Sequence, residues 1–101
     1  MSVKGTSYAN FRRALASRNL TIIRAAAAEL PQVPLADALE VCVVMAERDP
    51  DLYPRAAARW LARYVLDRDV GLDEVESALD ALLDLPERPS ESYRQLAARV
   101  R

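Results

Sequence analysis

Tyr8, Phe11 and Leu15 recur at i, i+3 and i+7, a spacing that places side chains on one face of an α-helix, and Thr6 or Ser7 precedes them as a candidate N-cap. Asn19 offers a second cap. Leu20, Ile23, Ala27 and Leu30 follow it with the same period, and the stripe stops at Pro31. The break at Ser17-Arg18-Asn19 is moderate, so the spacing also permits one continuous helix. The alanines 25–28 make the second helix thin, which predicts that a neighbour approaches it closely near the centre of the fold.

Pro34 suits the first turn of a third helix that runs to about Arg48. Its run Val41-Cys42-Val43-Val44-Met45-Ala46 is apolar around most of the circumference. Only the side carrying Asp37, Glu40, Glu47 and Arg48 is polar, so this helix is expected to be the most buried. Asp51 as cap and Pro54 in the first turn open a fourth helix to about Asp67. Projected at 100° per residue, Ala57, Ala58, Trp60, Leu61, Ala62, Tyr64 and Val65 cover a broad apolar arc, and Arg55, Arg59 and Arg63 form a separate stripe. After a break at Gly71, Val75, Ala78, Leu79 and Leu82 predict the inner face of a fifth helix ending before Pro86. Pro89-Ser90 starts a sixth through Tyr93, Leu96, Ala97 and Val100.

These elements predict an all-α fold, a single small orthogonal bundle of five or six short helices over residues 1–101. The alternative is a short repeat-like stack of helical hairpins, because helix starts recur near 20, 35, 52, 72 and 90. Repeats of about 34 residues place a large aromatic and a small residue at set points of their first helix. From Asn19 this chain has Ile22, Ala25 and Glu29 there instead, which favours the bundle.

Composition agrees. Apolar residues make up 51% and charged residues 29%, enough to form one core at this length. Thirteen of the fourteen basic residues are Arg, read first as the codon bias of a GC-rich bacterial genome. The single Cys42 excludes an internal disulfide and fits a reducing cytoplasm. No apolar stretch approaches the roughly 20 residues of a membrane span, since Arg24 and Glu29 interrupt the most hydrophobic region. Residues 1–28, basic and free of acid before Glu29, superficially match a targeting segment, yet the same residues supply a good core face.

Candidate chemistry is sparse. Without any His, Cys42 has no imidazole to activate it, and its place in the most apolar run predicts an inert core thiol. The segment from Asp67 begins like a calcium loop but fails after two ligands, since Gly71 stands where a third is needed, Leu72 where the sharp turn needs Gly, and Ala78 where a bidentate Glu should close the cage. Gly5 and Gly71 are isolated, so no phosphate-cradling loop exists. The pairs Glu74/Glu76 and Asp80/Asp84 read as a solvated face. The expectation is a protein that is not an enzyme and holds neither cofactor nor metal.

The distinctive feature is charge segregation. Residues 1–24 carry five positive charges and no negative one, 25–54 a net −5, 55–66 three arginines, 67–91 a net −7, and the last ten residues three arginines. Either the blocks neutralise one another across packed helices, the preferred reading, or Arg55, Arg59 and Arg63 form an open anion-binding ridge. Tyr53, Trp60 and Tyr64 share one flank, better explained by core packing than by base stacking. Val44, on the otherwise polar side of the third helix, and Ile22, at the margin of the second, are candidate partner contacts.

The expected function is therefore a cytoplasmic protein–protein interaction or regulatory module, binding another protein or itself as a homodimer, with no membrane partner. The alternative is a nucleic-acid-associated regulator that uses the Arg ridge.

Overall fold

Local chain chemistry sets six helices. A computed structural model describes residues 3–100, in which α1 spans Val3–Ser17, α2 Leu20–Ala27, α3 Leu35–Arg48, α4 Tyr53–Arg68, α5 Leu72–Asp84 and α6 Pro89–Arg99, with no strand among the described residues. Arg18 separates α1 from α2. It takes a left-handed backbone (φ 58°), and Asn19 caps α2 by accepting hydrogen bonds from the amides of Thr21 (3.0 Å) and Ile22 (3.2 Å). The two helices are therefore distinct.

Three expected boundaries are corrected. Neither Thr6 nor Ser7 caps α1, which already runs through both; Ser7 is buried, on the same face as Phe11 and Ala14. Asp51 makes no capping hydrogen bond, because the turn closes through backbone bonds from the Leu52 amide to Asp49 and the Tyr53 amide to Pro50, leaving Leu52 as the cap residue. The α4–α5 break is made by Asp69 in the left-handed region (φ 50°), whereas Gly71 is extended, with open space where a Cβ would stand.

Helices α3, α4, α5 and α6 pack each on the next, and α6 returns to α3, so the four close a ring, which an open stack of hairpins would not do. Leu39, Trp60, Tyr64, Ala78, Leu82, Leu85 and Leu96 fill its centre. Two buried polar tips fix its registers. Trp60 Nε1 donates to the Leu35 carbonyl (2.9 Å), tying α4 to the start of α3, and Tyr53 Oη donates to the Leu82 carbonyl (2.7 Å), tying α4 to α5. The Trp60 and Tyr64 rings stack at 5.4 Å, so these aromatics belong to the core. At the far end Arg68 donates to the Val100 carbonyl and docks the end of α6.

The α1–α2 hairpin lies outside this ring and packs on the opposite side of α3. Phe11, Ala14, Leu15 and Ile23 close there over Val44. This corrects the expected place of α2. Only Ile23 is fully buried, Ala25 and Ala28 face solvent, and the thin helix is a peripheral arm, because alanines have too little surface to hold a central position. The hairpin draws the molecule out to 42 × 28 × 20 Å.

Asn19→Ala is expected to cost about 1 kcal/mol, read as a lower urea midpoint by circular dichroism. Asp51→Ala, which removes no cap, is expected to stay within about 0.5 kcal/mol of the parent.

Candidate functional site

Two arginines of the basic N-terminal block are neutralised on α3. Arg12 Nη1 donates to Asp37 Oδ1 and Glu40 Oε2 (both 2.8 Å), Tyr8 Oη donates to Asp37 Oδ2 (2.8 Å), and Tyr93 Oη reaches Glu40 Oε1 (3.2 Å). Arg18 pairs with Glu47. The bond to Asp37, more than burial, raises the Tyr8 phenol above its ordinary value, since tyrosinate would face a carboxylate. A cleft of about 380 Å³ borders this network, but its charged groups, Arg12, Arg18 and Glu40, are engaged by one another's neighbours and present no unpaired charge.

The Arg ridge is divided. Arg63 is half-buried and its Nε lies 3.5 Å from Asp67 Oδ2, one turn along α4. Arg55 and Arg59 are exposed, and among the described residues neither makes an ion pair or hydrogen bond. Arg59 and Arg63 also border a cavity of about 280 Å³ between α3 and α4, walled by Val33, Val41, Cys42 and Trp60. Among the described residues no group of three His, Cys, Asp or Glu side chains stands together as a metal site. Nor is any helix there long and apolar enough to cross a membrane.

Val44 is corrected as a contact residue. It is 2% exposed, because the α1–α2 hairpin covers the side of α3 that its sequence neighbours leave polar. Ile22 is 50% exposed on the outer surface of that hairpin.

A large apolar groove of about 710 Å³ lies elsewhere, between α4 and α5. One wall is Pro54, Ala58, Leu61, Ala62, Val65 and Leu66; the other is Val75, Leu79, Leu82, Leu83 and Pro86, with Tyr53 and Ala57 at the floor. None carries a charge, and the one hydroxyl, that of Tyr53, is spent on the Leu82 carbonyl. Leu66 is 82% exposed, Leu83 68%, Leu79 42%, and Leu72, on the same stripe of α5, 87%. Single exposed leucines are ordinary, whereas a contiguous apolar patch of this kind is not.

This groove also corrects the expected inner face of α5. Leu79 points outward, and Ala81 and Leu85 take the core with Ala78 and Leu82. The surplus was visible in the chain, because the arc of α4 is wider than one packed face requires and Leu72, Leu79 and Leu83 form a second stripe at i, i+7 and i+11. No family model matches the chain, and no curated protein or solved structure matches it significantly.

Cys42 is buried and its Sγ donates to the Ala56 carbonyl (3.8 Å); burial pushes the thiol up to about 12. At pH 8 the native protein is expected to react with a disulfide reagent about a thousandfold more slowly than in denaturant, read by thiol titration, since only the thiolate attacks.

Proposed function

We propose that this protein is a non-enzymatic interaction module whose α4–α5 groove receives the apolar face of another polypeptide helix. The observation that carries the reading is the groove itself. It is uncharged along its length, walled by two helices of 16 and 13 residues, and bordered by leucines left in water. A helix laid between two others buries a stripe of i, i+3, i+4 and i+7 side chains, the usual way a small helical domain takes a partner. The buried free thiol of Cys42 fits a reducing bacterial cytoplasm as the compartment where this happens.

A nucleic-acid role draws less support. With Arg63 paired to Asp67, two open guanidiniums remain, and the exposed carboxylates of Glu76 and Asp80 on α5 oppose a phosphate backbone.

Leu66→Glu/Leu83→Glu alters only solvent-exposed side chains, so stability is expected to stay within about 0.5 kcal/mol. In affinity purification from the expressing cells with a tagged chain, the stoichiometric partner, whether another protein or an untagged copy, is expected to be retained by the parent and lost by this variant. Equal retention by both would overturn the groove as the docking surface.

A further inference from the structure

We infer that the occupant of the α4–α5 groove is a second copy of this chain, related by a two-fold axis parallel to α4 and α5, an inference that rests on the reading of the groove as a docking surface. The argument starts from register. The hydrogen bond from Tyr53 to Leu82 sets the start of α4 beside the end of α5, and with the short connection Asp69-Val70-Gly71 the two helices run antiparallel. Each step forward on α4 therefore matches a step back on α5 at about 1.5 Å per residue. Arg55 and Arg59 on α4 and Glu76 and Asp80 on α5 lie along the same stretch of the helix pair.

In one copy these residues cannot meet. On the helical projection Arg55 and Arg59 flank the groove on the outer side of α4, and Glu76 and Asp80 flank it on the outer side of α5, with the leucines between. Among the described residues none of the four makes an ion pair or hydrogen bond. The groove thus has one basic and one acidic margin along the same stretch of its length.

A two-fold axis along the groove preserves height and exchanges the margins. It lays α4 of each copy over α5 of the other, so that Arg55 and Arg59 face Asp80 and Glu76 of the second copy, twice over by symmetry. The alternative in-plane two-fold, across the helices, stacks α4 on α4 and sets arginines against arginines. Charge therefore selects the first axis. Sizes agree with it. Ala58 and Ala62, the small residues of the outer α4 face, lie opposite the exposed leucine stripe of α5 in the second copy, giving those leucines a shallow seat. The result is a four-helix layer with an apolar centre and paired charged rims, as in helix bundles joined across one face.

The test is a charge exchange, read by sedimentation equilibrium. The parent chain is expected to be a dimer at micromolar concentration. Arg55→Glu/Arg59→Glu makes both margins acidic, and Glu76→Arg/Asp80→Arg makes both basic. Each variant alone is expected to self-associate at least about tenfold more weakly. Mixed in equal amounts they are expected to form a one-to-one heterodimer, which no loss of folding could produce. A parent chain that stays monomeric to about 200 µM overturns the second copy as occupant. So does a dimer that both variants leave intact, or a mixture that forms no heterodimer. The docking reading itself stands or falls separately, on whether Leu66→Glu/Leu83→Glu releases the retained partner, a different protein or an untagged copy, in the purification.

Discussion

The structure depends on α3 being buried along two opposite faces. Leu35, Leu39 and Cys42 close the four-helix ring, while Val44, with Val41 beside it, lies under the α1–α2 hairpin. A helix covered on one side needs only a stripe of apolar residues; one covered on two must be apolar around most of its circumference. That requirement is met by the run from Val41 to Ala46. It also confines the polar residues of α3 to a narrow strip, where Asp37 is buried and must find partners. Tyr8 and Arg12 supply them, so the apolar and polar sides of α3 hold the same hairpin in place.

The charge blocks divide along the same architecture. Where helices pack on α3, opposite charges meet: Arg12 with Asp37 and Glu40, and Arg18 with Glu47. On either side of the α4–α5 groove, the basic and acidic margins stay apart in water. Self-neutralisation and an open charged surface, alternatives on the sequence, are both present at different ends of the molecule.

Much of the fold was legible because helix period and punctuation by Asn19, Pro34, Pro54, Pro86 and Pro89 act locally. The failures share one cause. The spacing of Val44 puts it on the polar side of α3, and only the hairpin, a neighbour from another part of the chain, makes that side interior. Leu79 has the period of a core residue, and only the rotation of α5 against α4 turns it out into the groove. Periodicity reports how residues share a face; it does not report how many neighbours that face has. The apolar groove could still have been suspected from α4 and α5, whose combined apolar surface exceeds what a four-helix ring can enclose.

The unequal size of the two cores has a consequence for how the molecule opens. Among the described residues the hairpin is held by a cluster of five buried residues, Val44 among them, and the ring by fourteen. Free energies of local opening scale with such burial, so the hairpin is the first unit to detach while the ring stays closed. Native-state exchange then separates the chain into two cooperative units, with the boundary in the connection between α2 and α3. The ring, closed by the one long-range pairing of α6 with α3, exchanges its most protected amides only when it opens as a whole.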